Sequence, residues 1–361
     1  MRFLNVVRMT ISDEKRQRIR TLLAEGWSER DVEKTLKVSK TAVNRIKREA
    51  SAAETKNFNE QTAVANSAKR KRRRLNDFGV EKSLTVAPSG ETPTTMIVRT
   101  GTTDVTVLNE IFVKKYHAPK TFHARMLLES NQSWFFVDIG GNIGCAAVWF
   151  AQRYNTKVII AVEPSVDNLK IMRKNLVAHG VNGKTRVKKN ALVPHDHTST
   201  VATLRIATKE NNYNHYRHTL LDIPSMDTCP TLTVSTIKLS EIFACLVQRG
   251  PVFLKLDCEG AETWALQELP DVLAATNGKH NTIIIVGEYI WDYIGKGIND
   301  YRRLFDDFET NMKNIEYFLT DRHLTAPPYG AEDDGFVRRG VSAASRFEMV
   351  FVRRNVTGYR W

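Results

Sequence analysis

From residue 133 onward the chain alternates short runs of large apolar residues with amphipathic stretches, and that alternation leaves few folds open. Runs over 133–139, 158–162, 187–192, 202–207, 232–237, 252–257 and 282–288 read as strands. Helices are predicted over 143–154 and 166–179, with Gly180 as a stop signal. A last helix over 301–314 precedes strands near 317–319 and 347–353. Several of these runs are apolar throughout and do not alternate with polar residues, the pattern of strands buried on both faces of a parallel sheet. Strands separated by helices therefore predict an α/β fold, with a mostly parallel sheet covered by helices on both faces. In such a sheet, ligands sit in the crevice beyond the carboxyl ends of the strands.

Three strand ends carry chemistry. The run at 252–256 breaks into Asp257-Cys258-Glu259-Gly260-Ala261-Glu262, three acids within six positions. Like charges so close are costly unless they meet a cation, a polar ligand or a metal. Glu262 has a second reading, as an acid in the first turn of the next helix, where the dipole favours it. The first strand ends in Asp138-Ile139-Gly140-Gly141-Asn142-Ile143-Gly144. Its glycines permit a sharp turn and close approach to a ligand, and the following helix opens with free N–H groups. The second strand ends in Glu163, placed to accept both ribose hydroxyls of an adenosine ligand. His195, His197, His215 and His218 fall in polar loop sequence and are candidates for a base or for the wall of an acceptor cleft.

The N-terminal quarter is different. Residues 1–100 hold 22 Lys/Arg against 12 Asp/Glu, whereas the remaining 261 hold 31 against 28, so the net charge of +13 belongs mostly to the start of the chain. An acidic partner fits that asymmetry, nucleic acid first, as does a solvated basic arm. Residues 12–49 read as short helices started by Ser12, Ser28 and Ser39, the last two joined as a helix-turn-helix. The segment GWSERDVEKTLKVSKTAVNRIKR resembles the helix-turn-helix of transposase-type DNA-binding domains. Glu33 stands where those domains usually have a small residue, and Lys37 where they have glycine. The outer face of the second helix of this pair, expected to meet nucleic acid, holds Lys40, Thr41, Asn44, Arg45, Lys47 and Arg48. Residues 50–93 turn polar and read as a disordered linker. Within it Lys69 to Arg74 are six consecutive cations, an import signal or a phosphate contact.

Cys145, Cys229, Cys245 and Cys258 show no metal or disulfide spacing, which suits a reducing compartment. The first residues are interrupted by Arg2 and Arg8 and do not form a signal peptide, and no apolar run reaches membrane-spanning length. The expectation is a soluble intracellular protein of the nucleus or cytoplasm, without a membrane partner.

Taken in order, DIGGNIG, AVEPSVDNLKIMRKNL, Asn190-Ala191-Leu192 and LKLDCEGAE resemble the FkbM family of S-adenosylmethionine-dependent methyltransferases. The resemblance runs from about Glu110 to Val352 and gives a third unit, 94–361. Gly141 takes the place of the family's usual alanine, and Gly287 precedes the strand-end acid Glu288. The resemblance implies a seven-stranded class I (Rossmann-like) sheet, S-adenosyl-L-methionine as donor and a hydroxyl oxygen of a sugar or small molecule as acceptor. Asp138, Gly140, Gly141, Asn142 and Gly144 would hold the methionine part of the donor, Glu163 its ribose, and Asn190 would sit near adenine. Asp257 is expected as base or acceptor-positioning residue, with Lys255 lowering its pKa or orienting the acceptor. Glu259, Glu262 and Glu288 would bind acceptor hydroxyls, or a divalent cation as hard oxygen ligands. Two other readings stay open: a nucleic-acid methyltransferase, and a DNA-binding protein from a mobile element whose large domain is a scaffold.

Overall fold

The computed structural model describes residues 12–24, 28–49, 79–88, 90–206, 219–221, 229–290, 298–324 and 344–353. The chain divides into two units, 1–77 and 78–361. The basic run 69–74, most of the expected linker, His215 and His218 lie outside the described residues.

The first unit contains α1 (Asp13–Ala24), α2 (Glu29–Leu36) and α3 (40–49). Ile19, Leu22, Val32, Val43 and Ile46 form its core. Ser28 caps α2 by accepting the Asp31 N–H, and Ser39 accepts that of Ala42. The two unusual residues of this segment have local roles. Lys37 takes the left-handed turn (φ +49°) that glycine fills at lower cost, and Glu33 accepts the Lys40 N–H at the start of α3. On the face expected to meet nucleic acid, Lys40, Thr41 and Arg48 are exposed, Arg45 lies 3.8 Å from Glu49, and the Asn44 amide faces Glu29.

The second unit opens with an antiparallel hairpin, β1 (Glu81–Val86) and β2 (Thr94–Arg99). This corrects the expected boundary: the unit begins inside the 50–93 linker, not at 94. Among the described residues β1 pairs with β2 alone and is largely exposed, so its composition is as polar as a linker's. α4 (Asp104–Leu108) runs into a π-turn, Asn109–Val113, and α5 (Phe122–Glu129) follows.

The central elements are β3 (Trp134–Ile139), α6 (Cys145–Arg153), β4 (Thr156–Val162), α7 (Val166–Ala178) and β5 (Thr185–Lys188). After them come β6 (Ala191–Leu192), β7 (Val201–Arg205), β8 (Thr231–Ile237), α8 (Leu239–Ala244), β9 (Val252–Leu256) and α9 (Glu262–Ala275). The chain closes with β10 (Thr282–Ile290), α10 (Ile298–Asn314), β11 (Tyr317–Leu324) and β12 (Ala344–Arg353). The main sheet has seven strands in the order β11-β12-β10-β9-β3-β4-β5, parallel except for β12, which runs antiparallel to both its neighbours. The expected strand region 187–192 divides between two sheets: β5 ends the main one, and β6 pairs with β8 in a three-stranded sheet β6-β8-β7.

Alternation along the strands builds a core on each face. Phe135, Val137 and Ile139 of β3, with Val252, Leu254 and Leu256 of β9, pack against α8, α9 and α10. Trp134, Phe136 and Phe253 point the other way, into the core under α6 and α7, where Phe136 stacks on Phe150. The next residues on this second face are Asp138 and Lys255, partners in the β3–β9 register. An apolar face thus ends in a charge pair at the carboxyl edge of the sheet.

Candidate active site

Asp138 is fully buried and Lys255 is 2% exposed, so each needs the other. Lys255 Nζ lies 3.0 Å from Asp138 Oδ1 and 3.5 Å from Asp257 Oδ2, and it donates to the Gly140 carbonyl at 3.1 Å. Burial alone would disfavour the ammonium, but the Asp138 and Asp257 carboxylates outweigh it and hold the Lys255 pKa above the usual lysine value. For Asp257, burial pushes upward, while the Lys255 charge and a His117 hydrogen bond pull further down. Its carboxyl therefore titrates well below the ordinary aspartate range.

The glycine turn crosses directly over the end of β9. Gly140 has φ +82°, and a Cβ there would fall 1.7 Å from the Asp257 carbonyl oxygen, so only glycine fits. Gly141 is less constrained: a Cβ would meet the movable methyl of Met172. Asn142 adopts φ +48° and donates its N–H to Glu163 Oε2 at 2.9 Å. Glu163 Oε1 accepts from Ser165 N and Asn168 Nδ2. Burial raises the Glu163 pKa, opposed by these donors.

The turn after β9 is held by one of its own acids. Glu262 is 1% exposed, and its two oxygens accept the N–H groups of Cys258 (2.6 Å) and Gly260 (2.7 Å). Expected in acceptor binding, Glu262 instead ties the loop together here and is not among the residues that line the cavity. Glu259 sits at φ +57°, and its carbonyl accepts from Thr219 Oγ1.

A residue without any motif completes the group. His117 Nε2 lies 3.2 Å from Asp257 Oδ2. Burial lowers its pKa below the usual value, more than Asp257 raises it. The segment bearing it is anchored by Glu348 of β12, whose oxygens accept the N–H groups of Lys120 (2.6 Å) and Thr121 (2.8 Å). The Arg346 guanidinium covers the Tyr116 ring at 3.3 Å from its centroid.

These elements enclose a cavity of about 270 Å³. Its lining includes Gly140, Gly141, Asn142, Glu163 and Asn190 together with Lys255, Asp257, Glu259 and Glu288, and also His117, Glu110, Tyr116 and Arg346. Asn190 also fixes the cavity wall by donating from Nδ2 to the Thr236 carbonyl. Asp138 and Gly144, expected to contact the donor, are not among the lining residues: Asp138 holds Lys255, and Gly144 starts α6. His195 and His197 are away from the cavity, His195 lying 3.9 Å from Glu268 and His197 meeting the Val201 carbonyl. Among the described residues no group of three His, Cys, Asp or Glu side chains is arranged to hold a metal ion, and no helix is long and apolar enough to cross a membrane. The four cysteines are free.

A seven-stranded, mostly parallel sheet with a glycine turn and strand-end acids around one cavity defines a Rossmann-like class I methyltransferase. Residues 138–317 match the model of the Methyltransferase FkbM domain, and the chain belongs to that family. Among solved structures it is similar to M. jannaschii TYW2 in complex with AdoMet, at 12% identity over 76% of this chain and 89% of that one, TM-score 0.33. Precorrin-6y C5,15-methyltransferase from Geobacter metallireducens GS-15 is similar at 12% identity over 67% and 92%, TM-score 0.31. M. capricolum TrmK in complex with S-adenosyl-homocysteine is similar at 12% over 65% and 69%, TM-score 0.29. No curated protein sequence matches the chain.

The methyl donor is S-adenosylmethionine. The cavity lining fits it chemically. Among the described residues Glu163 Oε2 accepts one N–H, that of Asn142, and keeps a lone pair for a ribose hydroxyl, and Gly140, Gly141 and Asn142 line the cavity beside it.

Proposed function

We propose that the domain transfers a methyl group to a hydroxyl oxygen of a sugar or other small-molecule acceptor. The observation that carries the reading is the Lys255–Asp257 pair at the cavity wall, directly beside the glycine turn. When bound, S-adenosylmethionine supplies an activated methyl on a sulfonium, so the protein's task is to align an acceptor within about 3 Å and to manage its proton. Gly140, Gly141 and Asn142 hold the donor's methionine part, Glu163 its ribose, and Asn190 borders its adenine. Lys255 keeps Asp257 ionised, and Asp257 orients the acceptor side. Glu259 and Glu288 are placed to accept hydrogen bonds from acceptor hydroxyls.

The charge of the acceptor end favours a neutral, hydroxyl-rich molecule over nucleic acid. Glu110, Asp257, Glu259 and Glu288 face Lys255 and Arg346 there, an excess of carboxylates that repels a phosphate backbone. Asp257→Asn is expected to lower turnover on the order of 10²-fold or more while donor affinity, measured by calorimetry, changes little. Full turnover in that variant would remove Asp257 from the chemistry.

The first unit is proposed to bring the enzyme to nucleic acid through Lys40, Thr41, Asn44, Arg45 and Arg48, with nuclear placement as a further part of this reading. In the full chain, replacing Lys40, Arg45 and Arg48 together by alanine should weaken binding to duplex DNA of any sequence and flatten its salt dependence. Fluorescence anisotropy at several salt concentrations checks this; an unchanged slope counts against the face.

A further inference from the structure

We propose that His117, rather than Asp257, is the general base that takes the acceptor's proton. This rests on the hydroxyl-acceptor reading and names a residue within it. The geometry is that of an imidazole oriented by a carboxylate: Nε2 lies 3.2 Å from Asp257 Oδ2, and the ring lines the same cavity as the glycine turn. Asp257 in turn is fixed by Lys255 Nζ at 3.5 Å, which is fixed by Asp138 at 3.0 Å. A carboxylate between an ammonium and an imidazole is a poor proton acceptor but a good orienting group. It sets the tautomer with the proton on Nε2 and leaves Nδ1 as the basic atom. Among the described residues no second hydrogen bond reaches the ring, so Nδ1 is available to an acceptor hydroxyl.

The loop geometry suits that role. Glu348 clamps the backbone at Lys120 and Thr121, and Arg346 packs on Tyr116, so the residue before His117 and the turn after it are both tied to β12. His117 is thereby presented without a strand or helix of its own. Glu348 acts here as a positioning residue.

In the step, the acceptor oxygen forms its bond to the methyl carbon as the sulfur–methyl bond breaks, with that electron pair returning to sulfur. The acceptor O–H bond gives up its proton to His117 Nδ1, and its electrons stay on oxygen. The products are a methyl ether, S-adenosylhomocysteine and an imidazolium, which releases the proton to water.

The sign of the pH dependence follows. The base works only when neutral, and burial holds the His117 pKa below its usual value despite Asp257 and Asp138. Lys255 from β9 adds to the lowering. Glu110 from the π-turn, Glu259 from the turn after β9, Glu288 from β10 and Arg346 from β12 line the same cavity. With the His117 pKa lowered, the acid limb of turnover is expected below about pH 6.5.

The test uses the full chain, tritiated S-adenosylmethionine and a pool of sugars and polyols, with wild type and His117→Gln assayed from pH 5 to 9. We expect the variant to lose about 10²- to 10⁴-fold in turnover. It should also lose the acid limb, with donor affinity by calorimetry unchanged. A variant that keeps the wild-type rate or the acid limb overturns the assignment. A wild type that labels no hydroxyl compound overturns the hydroxyl-acceptor reading instead. Nitrogen-15 NMR of the ring then decides His117 separately: a ring charged at pH 7.5 refutes the base, and a neutral ring with the proton on Nε2 supports it.

Discussion

Replacing Lys255 by methionine is expected to cost about 3–5 kcal/mol of stability, because the change leaves buried carboxylates without their cation. Methionine fills much of the same volume, so the loss reports charge and not a cavity. Asp138 is fully buried and has Lys255 as its ion partner; Asp257 has Lys255 and His117. In the wild type, the raised Lys255 pKa contributes stability that is complete below about pH 10.4, the unfolded value, and is lost as pH rises through the folded value. The lowered Asp257 pKa contributes stability present above about pH 3.9 and lost as pH falls through the folded value. From these two groups the wild type should show a plateau of melting temperature between those limits. In Lys255→Met the sign reverses. A buried carboxylate without a cation has a raised pKa, the native state then binds more protons than the unfolded one, and stability falls as pH rises. Melting curves at pH 5, 6.5 and 8 check it. A variant whose melting temperature equals the wild type's at pH 8 would contradict the charge chain.

Gly140→Ala is the second large effect. The added Cβ would lie 1.7 Å from the Asp257 backbone oxygen, at a φ of +82° that alanine tolerates poorly. Backbone cannot swing aside as a side-chain tip can. The ends of β3 and β9 must separate, and the bond from Asp257 N to the Ile139 carbonyl, 3.1 Å long, must stretch or break. Strain and overpacking together predict a loss of roughly 2–5 kcal/mol. Donor affinity should fall at least about tenfold, because 1.4 kcal/mol of misplaced turn corresponds to that factor. Gly141→Ala is the control. Its Cβ would press only on the Met172 methyl, and the change should cost under about 1.5 kcal/mol and lower donor affinity less than Gly140→Ala does. Equal losses at the two positions would show that the close approach at Gly140 is not what the turn depends on.

Which parts of this site were legible in the sequence follows from the range of the interactions. β3 and β9 are central strands buried on both faces, so their apolar runs announce them, and the charged residues that end those runs stand out against the core. Gly140, Asn142 and Glu163 were visible because a tight turn and a strand-end acid are local features. The role of Glu262 was half visible: acids are favoured at helix starts, but only the folded loop shows that both oxygens are committed to Cys258 and Gly260. Asp138 looked like a ligand contact because it precedes the glycines. The β-register turns it instead toward Lys255, a partner more than a hundred residues away that no local pattern links to it.

His117 had no local signal at all. It lies in a loop, outside any motif, and reaches Asp257 because Glu348 holds the neighbouring backbone across a separation of 228 residues. The histidines that did attract notice, His195 and His197, sit in a polar loop whose composition is that of exposed sequence. The hairpin β1–β2 was missed for a related reason: β1 forms one edge of a two-stranded sheet and needs few apolar residues. Contacts between distant segments decided the places of Asp138 and His117.

The most direct test of the central claim is where the methyl group goes. The full chain is incubated with tritiated S-adenosylmethionine and, in parallel, with neutral sugars and polyols, with RNA and with duplex DNA. Label is expected in the hydroxyl pool as an alkali-stable methyl ether, dependent on Asp257 and His117. Label appearing in RNA or DNA, and none in the hydroxyl pool, would contradict it.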